Sequence, residues 1–312
     1  MNSPPVIVIV GATGTGKSDL SLDVAEALAH RGQPAEIINA DAMQLYRGMD
    51  IGTAKVAVGE RRGIPHHMLD VLDITEDASV AAYQRETRSI IVGLRDRGIV
   101  PILVGGSGLY VSSVIYPFDF PGTDALVRGR LERELASEGI GALAQRLFAL
   151  DESVARRIGA TNARRIVRAL EVAELTGDPS RGVLPDDPEA VFPSILLGLN
   201  TPREKLVSRL DTRVITMWNN GLVDEVRSLL QNGLERSTTA GRAIGYAQAA
   251  SQIAGELSAD DAISLTQQLT RRYARRQVSW FKRYQHVTWL DADSASLLDD
   301  ATRVVSGCRT GL

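Results

Sequence analysis

Val6-Ile7-Val8-Ile9-Val10 runs directly into Gly11-Ala12-Thr13-Gly14-Thr15-Gly16-Lys17-Ser18, and this stretch decides how the chain is read. Five β-branched residues without polar alternation fit a strand buried on both faces, as in a parallel sheet. The glycines break the chain, and Ser18 to His30 resumes with helical spacing, Leu20, Val24, Ala27 and Leu28 sharing a face before Gly32 stops it. The junction matches G-x-x-x-x-G-K-[ST] in full, between a strand and a helix as that pattern requires. Its glycines let backbone N–H groups converge on phosphate oxygens, and the helix N-terminus adds the positive end of a dipole. Lys17 supplies a mobile charge and Ser18 a hydroxyl able to ligate Mg²⁺. Gly11, Ala12, Thr13, Gly14, Thr15, Gly16, Lys17 and Ser18 are therefore the expected phosphate-binding set. The pattern is of the nucleotide-binding, ATP-binding kind. It identifies a phosphate or pyrophosphate ligand and leaves hydrolysis open. The plain alternative is a Gly-rich strand-to-helix turn.

Outward from this loop the pattern repeats. Glu36 to Ala40 reads as a second strand ending on Asp41, Val80 to Arg97 as a helix, and Val100 to Val104 as a third strand ended by Gly105-Gly106. Alternating strands and helices imply a parallel sheet with right-handed crossovers. Ligands then bind outside the carboxyl ends of the strands, here at Gly11, Asp41 and Gly105. A carboxylate at Asp41 can hold Mg²⁺ through water, act as a general base, or cap the following segment. Pro117 to Gly122 has linker composition, Asp124 to Thr176 offers only helical stretches (the last from Ala163), and Pro185 to Pro188 is a second linker. Val191 to Leu199 returns to a strand, followed by helical stretches at Pro202 to Trp218, Leu222 to Gln231 and Asp260 to about Tyr284. The expected architecture is α/β: a P-loop NTPase-like parallel core over 1–117 and 190–312, with a helical C-terminal region and an all-helical insertion over 118–189.

Composition sets outer limits. The 312 residues are 44% hydrophobic and 23% charged, which excludes a disordered chain, and only 5% aromatic, so aliphatic side chains fill the core. No apolar run approaches the roughly 20 residues of a membrane span, and the N-terminus lacks a signal peptide's basic region. The single Cys308 makes no internal disulfide, and a reducing, cytoplasmic setting is expected. A net charge of −3 argues against a uniformly basic nucleic-acid binder while leaving room for a local basic patch. His66-His67 lack further ligands nearby and read as structural.

Several segments together resemble the tRNA dimethylallyltransferases. They are Ile37 to Lys55, with Asp41, Gln44, Tyr46 and Ile51-Gly52-Thr53-Ala54-Lys55; Ile64 to Asp70; Pro101 to Tyr110; and Arg165 to Val172. Gly221 to Val226, Ala243-Ile244-Gly245-Tyr246 and Tyr273 to Gln277 continue the match. The resemblance implies transfer of a dimethylallyl group from dimethylallyl pyrophosphate to the exocyclic amine of the adenosine 3′ to the anticodon. It makes pyrophosphate the leaving group in the loop and Mg²⁺ the ion that offsets its charge. It assigns Asp41, Lys17 and Ser107 to catalysis; Arg209 and Arg213, which share a helical face, are expected to reach the pyrophosphate. For the anticodon stem-loop it implies Asp41, Ala42, Met43, Gln44, Ser107, Arg130, Thr161, Asn162, Ala163, Arg164, Arg165, Arg242, Gly245, Tyr246, Arg275, Arg276, Gln277 and Trp280. The adenosine would flip into a channel between core and insertion. The chain departs from the family at Ala42 and Ser107, where Ser and Thr are usual, and at Asn162-Ala163, where Asn-Asp is usual. A monomer is expected.

The arginines fit this expectation. Arg271, Arg272, Arg275 and Arg276 form like-charged pairs four residues apart, which repel unless an anion lies across them. Tyr273, Trp280 and Phe281 beside them are of a kind that stacks on unpaired bases. Arg164 and Arg168 share a face that is either solvated or bound to an RNA backbone. The rival readings are a prenyl transferase for free adenine nucleotides, a small-molecule P-loop kinase, and a non-catalytic RNA-binding protein. The helical insertion and the basic last helix favour a large RNA substrate, and the complete loop with Asp41 argues against a protein that only binds.

Overall fold

The computed structural model describes residues 3–183 and 188–307; Cys308 and positions 185–187 of the second linker lie outside them. Six strands form one wholly parallel sheet: β1 (Val6–Gly11), β2 (Ala35–Asn39), β3 (His66–His67), β4 (Val100–Gly105), β5 (Ser194–Asn200) and β6 (Val287–Asp291), in the order β3-β2-β4-β1-β5-β6. The helices are α1 (Lys17–Ala29), α2 (Val80–Asp96), α3 (Gly108–Ile115), α4 (Ala125–Leu150), α5 (Glu152–Ile158), α6 (Ala163–Thr176), α7 (Arg203–Asn219), α8 (Leu222–Gln231), α9 (Tyr246–Ile253), α10 (Ala259–Phe281) and α11 (Leu297–Gly307). No helix among the described residues is long and apolar enough to cross a membrane.

β1 and β4 are buried at every position, as their unbroken apolar runs require. Ile7, Ile9, Ile102, Ile195 and Leu197 face α1 and α11 across one side of the sheet. α2, α3 and α10 lie against the other. Side-chain caps from Ser79 and Ser258 start α2 and α10. The chain divides into two compact units, Met1–Ile115 with Ala190–Leu312, and Tyr116–Glu189. The second has its own core, in which Leu131, Leu143, Leu147, Ile166 and Leu170 of α4 and α6 meet. Gly139, at φ 81°, breaks α4 into two pieces.

The mostly helical C-terminal region also holds a strand the sequence pattern does not mark: β6 pairs with β5 and extends the sheet, and α11 returns over it. β6 is a short edge strand with only Val287 buried, and too few apolar positions mark it in sequence. The strand expected from Val191 begins at Ser194, and the helix expected to reach Tyr284 stops at Phe281.

Candidate active site

Because β1, β2 and β4 are parallel neighbours or next neighbours, their carboxyl ends deliver three chain segments to one place. A cavity of about 610 Å³ opens there, lined by the 13–18 loop, Asn39, Asp41, Gln44, Thr53 to Val56, Val104 to Gly106, Arg209, Arg213 and Gln277. Every lining residue belongs to the first unit.

The loop is backed by an apolar cluster in which the buried Ala12 packs with Leu206, Leu210 and Ala274 of α7 and α10. Its shape is held by polar ties. Thr15 Oγ1 and Lys17 Nζ donate to the Ala12 carbonyl at 2.9 and 2.7 Å. Thr13 N donates to Gln277 Oε1 at 2.8 Å. Gly106 is required by the same contact, since a Cβ there would run into the Gln277 amide.

Asp41 follows β2 in a framed position. Asn39 Oδ1 accepts from Asp41 N at 2.9 Å, and Asn39 Nδ2 donates to the carbonyls of Asp41 and Met68 at 3.0 and 2.8 Å. Tyr83 donates from its hydroxyl to the Asn39 carbonyl at 2.7 Å. The Asp41 carboxylate caps a 3-10 turn over Ala42–Leu45, Oδ1 accepting from Met43 N at 2.9 Å. The capping alternative is thus realised, and the carboxylate still lines the cavity. Ser107 Oγ accepts from Ala42 N at 3.2 Å and also interacts with Tyr273, linking the β4 and β2 ends.

Two desolvated cations face this carboxylate. Burial lowers the Lys17 ammonium to about 8, Asp41 opposing that shift and Arg213 adding to it. Burial also lowers the Arg213 guanidinium, again with Asp41 in opposition. Neither cation has a carboxylate within ion-pair distance among the described residues. Arg209, at the rim, is held by Asp293 at 2.6 Å. The arrangement presents backbone N–H groups, two cations and a hydroxyl to an anion, with a carboxylate close by.

The model of the IPP transferase family matches residues 44–284. The chain belongs to that family. It is 60% identical over 306 residues to a tRNA dimethylallyltransferase of Clavibacter sepedonicus, covering 98% of this chain and 99% of that one. The tRNA dimethylallyltransferase of Thermobifida fusca is 54% identical, over 96% and 94% of the two chains. Among solved structures, a full-length tRNA isopentenylpyrophosphate transferase of Bacillus halodurans superposes with a TM-score of 0.71 at 34% identity, covering 98% and 96%. A eukaryotic dimethylallyltransferase acting on tRNA gives 0.80 at 29%, covering 99% of this chain and 78% of that one.

Within this IPP transferase, the residues expected at RNA fall into distinct groups. Arg242, Arg275 and Arg276 are exposed. Arg276 lies over the Tyr273 ring at 5.8 Å, whereas Arg271 is tied to Asp211 at 2.6 Å. Ala42, Met43 and Gln44 sit half-buried in the turn after Asp41. Thr161, Asn162, Arg164 and Arg165 are exposed at the start of α6, where Asn162 is the cap and Ala163 the first helical residue.

Other members of that group are committed elsewhere. Arg130 ion-pairs with Glu134 and Glu174, which also hold Arg146. Arg168 is tied to Glu171 and to the carbonyls of Pro121 and Gly122. Gly245 and Tyr246 are buried, Tyr246 completely, so its ring belongs to the core beneath Gly52 and not to an RNA surface. Gln277 is buried against the phosphate loop, and Phe281 is a core residue. Trp280 lies on Gly108, donates to Ser112 Oγ at 3.0 Å and carries Arg283 at 4.7 Å over its ring. His67 pairs with Glu36 at 2.5 Å in β3, in keeping with a structural role.

Sequence reasoning gave no role to Asn39, Lys55, Thr53 or Glu225. Lys55, only 3% exposed, lines the cavity while its ammonium is spent on Asp50, Asp70 and the Tyr46 carbonyl at 2.7, 2.5 and 2.8 Å. The signal for it was a lysine in an otherwise small and apolar run, Ile51 to Val56.

Proposed function

We infer that this chain is a tRNA dimethylallyltransferase, moving a dimethylallyl group from dimethylallyl pyrophosphate to the exocyclic amine of the adenosine 3′ to the anticodon and releasing pyrophosphate. The observation that carries it is the meeting, in one cavity of an IPP transferase, of a complete phosphate loop, two desolvated cations and Asp41. The relatives' names supply the two substrates, and the exposed Arg272, Arg275 and Arg276 give a surface to which RNA phosphates are suited.

In this reading the N–H groups of Gly14 to Ser18, Lys17 and Arg213 take the pyrophosphate, with Arg209 leaving Asp293 to join them. The adenine amine attacks the allylic carbon, a nitrogen–carbon bond forms, and the carbon–oxygen bond breaks with its electron pair going to pyrophosphate. Asp41 accepts the proton the amine must lose, gaining most when positive charge appears on nitrogen. Ser107 and Gln44 border the acceptor. The hydroxyl oxygen of Ser18, beside phosphate oxygens, suits a hard cation, so this residue would hold Mg²⁺. When bound, Mg²⁺ would offset the charge that develops on the leaving group.

Purified protein with labelled dimethylallyl pyrophosphate and Mg²⁺, offered tRNA, AMP or ATP in separate reactions, tests this reading. Label should pass to tRNA alone. Transfer to AMP or ATP would make the enzyme a nucleotide prenyl transferase, and no transfer to any acceptor would refute the reading.

A further inference from the structure

Glu225 stands on α8, outside the cavity, yet its carboxylate is fully engaged on the turn that leads into the cavity wall at Thr53. Oε2 accepts from Asp50 N at 3.2 Å and Ile51 N at 2.8 Å; Oε1 accepts from Gly52 N at 3.4 Å and the Tyr246 hydroxyl at 2.6 Å. One carboxylate therefore gathers three successive backbone N–H groups, an arrangement that fixes a turn as firmly as a bound anion would. The Tyr246 ring closes the other side, packed so tightly on Gly52 that a Cβ there would overlap it. The turn next bends through Ala54, a non-glycine residue at φ 47°, and is tied down beyond it by Lys55. Strain of this kind persists only where the surroundings over-determine the backbone.

What the turn carries explains the effort. The Thr53 carbonyl, one residue past Gly52, accepts from Gln44 Nε2 at 3.1 Å and from Arg213 at 3.4 Å. Gln44 and Arg213 come from different segments, and both line the cavity. A half-buried, desolvated arginine without a carboxylate partner has few other ways to hold its direction.

We propose that Glu225 is a positioning residue: by clamping the Asp50–Gly52 turn it sets the Thr53 carbonyl, and through it the directions of Arg213 and Gln44. This rests on the proposed binding of pyrophosphate by Arg213, and the experiment separates failure of the two. A displacement near 1 Å in such a support is enough to cost about 10²-fold in turnover, so the effect is sought first in ligand binding, where it is simplest to read.

Calorimetric titration with inorganic pyrophosphate and Mg²⁺ is run on the full chain, on Glu225→Gln, on Arg213→Ala and on the double variant. Glu225→Gln is isosteric and keeps one acceptor oxygen, so the fold survives; circular dichroism and the melting temperature check this. Glu225→Gln should weaken pyrophosphate about tenfold, as for coupled neighbours, and have almost no further effect once Arg213 is Ala. Tyr246→Phe, which keeps the ring on Gly52, should give a smaller loss in the same direction. Equal losses from Glu225→Gln with and without Arg213 would overturn the positioning role, as would no loss at all. If Arg213→Ala alone leaves affinity unchanged, the assignment of Arg213 to pyrophosphate fails, and the proposal falls with it for that separate reason.

Discussion

Arg213 in the cavity and Arg130 in the helical unit are the same residue put to opposite uses. Arg130 is half-exposed and sits in a closed network in which Glu134 and Glu174 each meet it and Arg146. Its charge is already answered, and its effect is confined to holding α4 against α6. Arg213 is desolvated, donates to the Thr53 carbonyl, and feels a second cation in Lys17. Burying two cations near each other costs stability unless an anion joins them. On the same basis Arg271, tied to Asp211, serves the fold, whereas Arg275 and Arg276, with no carboxylate at ion-pair distance among the described residues, are the arginines proposed to await a substrate's negative charge.

This contrast puts the largest effect at Asp41, a cavity carboxylate that faces the unanswered cations and the proposed acceptor of the amine's proton. Asp41→Asn should lower the single-turnover rate by about 10²–10⁴ while the affinities for tRNA and donor move little. Rescue of that rate by excess Mg²⁺ would assign Asp41 to the metal instead. The exposed arginines of α10 come next. Arg275→Ala with Arg276→Ala should weaken tRNA binding and reduce its salt slope by roughly 0.7–0.9 for each phosphate no longer neutralised. An unaltered slope would break the rule that unpaired arginines await phosphates. Arg130→Ala should have the smallest consequence: about 0.2–1 kcal/mol of stability, as for exposed ion pairs, and no change in that slope. A reduced slope would place Arg130 on the RNA as well.

Much of this was legible in the sequence because the deciding features are local. The run Val6 to Val10, the loop to Ser18 and the chain breaks at Gly105-Gly106 each announce themselves within a few residues. Asp41 was found because a polar residue ends an apolar strand. What stayed hidden depends on distant partners. The resemblance puts Tyr246 and Gln277 at the RNA, yet one is enclosed under Gly52 and the other accepts, through its side-chain carbonyl oxygen, from the loop's Thr13 N–H, 264 positions away. The resemblance puts Arg130 at the RNA too, and the Glu174 that holds it lies 44 residues along the chain. Glu225 was invisible for the same reason, since the three N–H groups it collects lie more than 170 residues earlier. β6 was missed because an edge strand of five residues, half-exposed, has too little apolar pattern to declare itself.

If the cavity keeps its cations unpaired for a pyrophosphate, the pH dependence of pyrophosphate binding must show it. Lys17 has its ammonium lowered from 10.5 to about 8, so between those values the unfolded chain holds the proton more firmly than the folded one. The burial penalty of Lys17 is therefore relieved, and its contribution to stability improves, as pH rises through that window. Pyrophosphate needs the charged form, so affinity should do the reverse, holding steady below about pH 8 and falling above it. Lys17→Ala should bind pyrophosphate more weakly by about 2–4 kcal/mol at most and lose that part of the fall. Calorimetry of wild type and Lys17→Ala across the range supplies the comparison. A profile in which the two proteins bind pyrophosphate alike at every pH would show that the lysine is not kept for this anion.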